Sequence, residues 1–183
     1  MRIAHYIPET TAEGPGPRFA LWTMGCSLHC PGCCNPELFN GGGTEYSVDS
    51  LLSLIQNTPN IEGVSLLGGE PTEQPDLIEL CQGIQALQLT VMLYSGHTRS
   101  QIEARHPQLL ESVDLLVDGR YVERLAHSSR RWIGSSNQVL HFLSPAYKPS
   151  DPRFSEPNTI ELRLSTEGLV INGWPGSTDR ILR

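Results

Sequence analysis

The sequence predicts an α/β fold, a partial (β/α) barrel with an open parallel sheet and a C-terminal β-hairpin. Three observations predict it. Short apolar runs alternate with segments of helical period along much of the chain, the pattern of βαβ units with right-handed crossovers. The 183 residues fall short of what a complete eight-fold barrel takes, roughly 250, so four or five strands leave an open barrel with a broad mouth. Near the end, two apolar segments flank Thr166-Glu167-Gly168 at hairpin spacing.

In chain order, Phe19-Ala20-Leu21-Trp22-Thr23 is the first buried strand, stopping at Gly25. Ser47 caps a helix whose Val48, Leu51, Leu52 and Ile55 recur at helical spacing, and Pro59 follows its end. Gly63 to Leu67 is a second strand, broken at Gly68-Gly69-Glu70-Pro71. Asp76 opens a second helix with Leu77, Leu80, Cys81 and Ile84 on one face. Leu89 to Tyr94 is a third strand ending at Ser95-Gly96, and Ser100 to Leu110 a weaker helix. Val113 to Val117 is a fourth strand ending at Asp118-Gly119. A polar, Pro-rich region runs from Arg120 to Pro157, within which Gln138 to Leu143 reads as another strand. Thr159 to Ser165 and Leu169 to Asn172 form the hairpin.

The length fits one domain over residues 1–183. With 38% hydrophobic and 18% charged residues, and no apolar run approaching the roughly 18 that cross a bilayer, a membrane protein is not expected. The start lacks the apolar core of a secretory signal, so the expected location is the cytoplasm. A net charge of −7 with no basic stripe argues against nucleic acid as a partner.

Ligands in parallel α/β folds gather at the carboxyl ends of the strands. All the unusual motifs sit at such ends: Cys26 to Cys34, Gly68 to Pro71, Ser95-Gly96 and Asp118-Gly119. Four of the five cysteines crowd between Cys26 and Cys34, which points to metal or redox chemistry rather than a disulfide framework. Cys26, Cys30 and Cys33 stand as C-x3-C-x2-C, which suits an iron–sulfur cluster or a zinc knuckle completed by Cys34 or His29. Spacing alone does not choose. Three thiolates on a cubane leave one iron open to bind something else. Cys34 is expected to be a bystander, and Cys81 a small core hydrophobe.

The cysteine segment resembles that of the radical S-adenosylmethionine superfamily, with Gly32 at its usually aromatic position. The resemblance implies a 4Fe–4S cluster on Cys26, Cys30 and Cys33 and S-adenosyl-L-methionine as second cofactor. It implies that Gly68, Gly69, Glu70 and Pro71 receive the cofactor's amino group, that Ser95 approaches the cofactor, and that Asp118 holds a cation near its carboxylate. The bland alternatives are a tight turn, a strand end and a loop cap.

Glu13-Gly14-Pro15-Gly16-Pro17-Arg18-Phe19, Cys33-Cys34-Asn35-Pro36-Glu37-Leu38-Phe39, and Leu116-Val117-Asp118-Gly119 leading to Trp132-Ile133-Gly134-Ser135-Ser136-Asn137-Gln138 are similar to segments of the activating proteins of glycyl radical enzymes, the Gly-Ser-Ser-Asn-Gln element most closely to those of anaerobic ribonucleotide reductase. Glu13 stands where Asp is usual and Pro17 where an aliphatic residue is. This resemblance implies that an external electron donor such as a flavodoxin reduces the cluster, and that a 5′-deoxyadenosyl radical takes a hydrogen from a glycine Cα on the partner enzyme. Two other functions compete: a small radical enzyme acting on a peptide or metabolite, and a non-catalytic zinc or iron–sulfur module. Arg120, Arg124, Arg130 and Arg131 form either a solvated run or a docking surface for an acidic partner loop.

Overall fold

The computed structural model describes residues 1–126, 130–165 and 168–173. Its strands are β1 (Arg2–Thr10), β2 (Arg18–Thr23), β3 (Thr44–Glu45), β4 (Gly63–Gly68), β5 (Thr90–Tyr94), β6 (Leu115–Asp118), β7 (Val139–Phe142), β8 (Ile160–Ser165) and β9 (Gly168–Gly173). Its helices are α1 (Val48–Gln56), α2 (Leu77–Ala86) and α3 (Arg99–Arg105). Ser47 caps α1 through its hydroxyl, which accepts from Ser50 N, as the sequence predicts. The helix foreseen from Ser100 to Leu110 stops at Arg105, because Pro107 bars His106 from helical backbone, and a short 3-10 turn over Leu109–Ser112 replaces its end.

One sheet runs in the order β3-β1-β2-β4-β5-β6-β7. Its centre is the parallel set β2, β4, β5 and β6, added in chain order through the three helices. The expected parallel sheet is corrected to a mixed, open one: β1 and β7 pair antiparallel on either side of that set, and β3 extends β1. Direct loops rather than crossover helices join β1 to β2 and β6 to β7, and a loop return makes neighbours antiparallel. β8 and β9 form the foreseen hairpin as a separate pair. Thr166 and Glu167 of its turn lie outside the described residues.

Side chains alternate across the central strands. Phe19, Leu21, Val64, Leu66, Val91, Leu93 and Leu116 face the helices, meeting Leu51, Ile55, Leu80, Cys81, Ile84 and Ile102 in the main core. The opposite face carries Trp22, Leu67, Met92 and Val117, with Trp132, Ile133 and Tyr147 of the later loops packing on part of it. Burial on both faces is why these strands read as continuous apolar runs. No described helix is long and apolar enough to cross a membrane.

Candidate active site

The sheet face turned away from the helices opens, at the carboxyl ends of the parallel strands, into a cavity of about 1030 Å³. Cys26, Cys30 and Cys33 line it from the loop after β2. Gly68, Gly69 and Glu70 line it from the loop after β4, and Ser95 from the end of β5. Of the site residues foreseen from the sequence, Pro71 and Asp118 do not line it. Pro71 opens a short 3-10 turn beneath it. Asp118 accepts from Arg99 N at the start of α3, and His141 Nε2 lies 3.1 Å from its Oδ1.

The cysteine loop is held by backbone bonds. Gly25 N and Cys26 N donate to Leu38 O and Phe39 O, closing the loop on itself. Gly69 N donates to Thr23 O and Glu70 N to Gly25 O, both at 2.8 Å. This explains Gly69: a Cβ there would lie 2.1 Å from Gly25 O, so the glycine lets the two loops touch. Gly69→Ala is expected to prise them apart and cut iron loading on the cysteine loop by roughly tenfold or more, on the scale of losses from misplaced supporting residues. Iron content after anaerobic reconstitution measures it, and a wild-type value would refute the close-approach account.

Glu70 is 1% exposed and fully oriented. Its Oε1 accepts from Thr72 N at 3.1 Å, Thr72 Oγ1 at 2.7 Å and Ser95 Oγ at 2.8 Å, and Oε2 accepts from Gly96 N at 2.8 Å. Ser95 therefore aims the carboxylate with its own hydroxyl. An acceptor oriented this way suits a protonated amine at the cavity wall.

The three half-buried thiols differ. Burial pushes Cys26 up, whereas a hydrogen bond from Cys34 brings Cys33 down to about 6. Holding that proton raises Cys34. Cys81 is buried in the core and pushed up to about 12 by desolvation, as its core position foretells. Among the described residues no three His, Cys, Asp or Glu side chains converge as one metal ion requires. Cys26, Cys30 and Cys33, carried on one loop at the cavity wall, are the soft thiolate donors that an iron–sulfur cluster takes.

Sequence reasoning named Glu13 as a motif residue and missed it as part of the cavity. It lies beside the hairpin: its Oε1 accepts from Gly173 N at 2.8 Å, while Asn172 Nδ2 donates to Thr10 Oγ1 and Glu161 accepts from Thr11 N. Burial pushes the Glu13 carboxyl from 4.5 up to about 7. Between those values the folded chain keeps a proton that the unfolded chain has released, so stability falls as pH rises from about 5 to about 7. Allowing for water in the cavity, the contribution is roughly 2 kcal/mol. Melting temperature measured across this range is expected to drop more steeply for wild type than for Glu13→Gln; parallel curves would remove Glu13 as the source.

The arginine run is mostly engaged. Arg131 is 8% exposed; it pairs with Glu156, donates to Arg153 O and stacks on Trp132. Arg120 donates to Leu28 O in the cysteine loop and Arg130 to Gln138 O. The run foreseen from Tyr121 to Arg131 includes His127, Ser128 and Ser129, which lie outside the described residues.

A family model described as a 4Fe-4S single cluster domain matches residues 12–141. The anaerobic ribonucleoside-triphosphate reductase-activating protein of Escherichia coli (strain K12) is 33% identical over 153 residues, 78% of this chain and 99% of the relative. The protein of the same description from Vibrio cholerae is 30% identical over 77% of this chain and 97% of its own length. That of Enterobacteria phage T4 is 28% identical over 76% and 93%.

Proposed function

Because the chain belongs to the family of anaerobic ribonucleoside-triphosphate reductase-activating proteins, with its 4Fe-4S single cluster domain, we propose that it is a radical S-adenosylmethionine enzyme that installs a glycyl radical on anaerobic ribonucleotide reductase. One observation carries the reading: Cys26, Cys30 and Cys33 share a cavity with the oriented carboxylate of Glu70, and backbone bonds join their two loops. A reduced cluster held by Cys26, Cys30 and Cys33 would supply the one electron that splits the sulfonium of S-adenosylmethionine into methionine and a 5′-deoxyadenosyl radical. Cys26, Cys30 and Cys33 would hold it through their thiolates. Glu70, aimed by Thr72, Ser95 and Gly96, receives the ammonium of the methionine moiety. Trp22, Leu67 and Val117 floor the cavity with apolar surface, which excludes water from a reactive species. The cavity, lined by both the cysteine loop and the hairpin, has room for a polypeptide segment of the partner.

Anaerobic reconstitution with iron and sulfide, reduction, and addition of S-adenosylmethionine with the reductase tests this reading. The expected results are 5′-deoxyadenosine by chromatography and a glycyl radical signal on the reductase by electron paramagnetic resonance. Iron-loaded, reduced protein that forms no 5′-deoxyadenosine would overturn the chemistry. 5′-Deoxyadenosine without a radical on the reductase would overturn the partner and point to a peptide or metabolite substrate. A flavodoxin that supports the reaction in place of the chemical reductant would identify the donor class.

A further inference from the structure

The aromatic side chains lining the cavity are nearly all committed. Trp22 stacks on His5 with ring centroids 4.5 Å apart, and Phe39 packs on His29 at 4.8 Å. Tyr94 donates its hydroxyl to Glu13 O, and Trp132 is held between Arg131 and Phe154. Tyr121 differs. It lines the cavity, and its side chain has no ring contact and no hydrogen bond among the described residues.

The loop that carries Tyr121 is nevertheless firmly placed. Arg120 donates to Leu28 O of the cysteine loop, and Asn137 Nδ2 donates back to Arg120 O at 2.8 Å. Val122 N donates to Ser135 Oγ at 3.1 Å. Glu123 packs so closely over Gly32 that a Cβ there would meet its Cδ at 2.7 Å. An aromatic ring that lines a large cavity, has no ring or cation stacked on it among the described residues and sits on a loop tied to the cysteine loop is a built platform for a planar π-system.

We propose that Tyr121 is the stacking platform for the adenine of S-adenosylmethionine. The inference rests on the function proposed above and adds a residue to it. Base stacking on an aromatic side chain is sequence-tolerant and substantial, so its loss weakens binding roughly tenfold to a hundredfold. Methionine, which lacks the base, gains nothing from Tyr121.

The test is equilibrium binding to the reconstituted, cluster-loaded protein under anaerobic conditions. S-adenosylmethionine is titrated by calorimetry, and L-methionine through its effect on the paramagnetic signal of the reduced cluster. Tyr121→Ala is expected to bind S-adenosylmethionine at least about tenfold more weakly and methionine as wild type does, while Tyr121→Phe retains both. Wild-type affinity for S-adenosylmethionine in Tyr121→Ala overturns the assignment. So does an equal loss of both ligands, which marks damage to the cysteine loop. Wild-type protein that fails to bind S-adenosylmethionine overturns the underlying function, and Tyr121's role with it.

Discussion

Replacing Cys30 with alanine is expected to abolish 5′-deoxyadenosine formation and to strip the cluster, while the same change at Cys34 or Cys81 leaves iron content near that of wild type. Cys30 lines the cavity with Cys26 and Cys33, and because Cys33 N donates to its backbone oxygen, alanine keeps the loop's turn and removes only the sulfur. With only three thiolates in the proposed set, removing one leaves the cubane two protein bonds. Changes to groups that merely support metal ligands already cost roughly 10- to 100-fold, and loss of a ligand itself is expected to exceed that. Cys34 is the informative control, because it hydrogen-bonds to Cys33 and is, with His29, one of the two residues that could complete a zinc knuckle. Cys81 lies in the helix-side core and reports only on general damage. Iron and sulfide analysis with the visible absorption of the reconstituted variants decides the matter. Full iron loading in Cys30→Ala, or its loss in Cys34→Ala alone, would overturn the ligand set.

What the sequence made legible follows from where periodicity is strong. Gly63 to Leu67 and the Val48, Leu51, Ile55 stripe bury complete faces, so their patterns survive without tertiary knowledge. β1 escaped notice because its alternation is broken by register shifts on either side of the Tyr6 and Ile7 pairs, with Pro8 in the second of them. A bulged strand loses the period-2 signal that sequence patterning relies on. β3 is only two residues long. In the site, the cysteine spacing and Gly68 to Pro71 were legible as motifs, but what Gly69 meets was not. The resemblance assigned this glycine to the cofactor's amino group, and the atom it makes room for is Gly25 O. Glu13 and Tyr121 join the cavity through contacts across the chain, Glu13 to Gly173 and the Tyr121 loop to Leu28. No local pattern encodes those distances.

The stretch from Glu13 to Arg18 carries a second large effect. Arg18 is entirely buried at the amino ends of the parallel strands, opposite the cavity's mouth. Its Nε donates to Ser65 Oγ at 2.9 Å, its Nη1 to Thr90 Oγ1 and Tyr147 OH at 3.0 Å, and its Nη2 to Val64 O at 2.8 Å. Pro15 O accepts as well. The neighbouring glycines make the space: a Cβ at Gly14 would lie 2.6 Å from Arg18 Cδ, and one at Gly63 would lie 2.7 Å from Nη1. The Gly-Pro-Gly-Pro-Arg run is thus a socket and its plug, tying β2, β4, β5 and the Tyr147 loop beneath the cavity. Burial alone lowers the arginine's proton affinity, and this many acceptors keep it charged. Arg18→Met fills similar volume but takes the guanidinium's donors away from Ser65 Oγ, Thr90 Oγ1, Tyr147 OH, Val64 O and Thr90 O, and buried polar groups that lose a donor cost more than the bonds contributed. The expected loss is roughly 3–5 kcal/mol, a large share of the 5–15 kcal/mol typical of a folded domain. At this chain length it lowers the melting temperature by roughly 6–20 °C. Chemical denaturation of wild type and Arg18→Met measures it, and a difference under about 1 kcal/mol would mean that water or a shifted side chain satisfies the acceptors. Since the plug sits at the end of the sheet away from the chemistry, variant protein that stays folded at low temperature is expected to load iron as wild type does, which separates the socket's structural role from that of the cysteine loop above it.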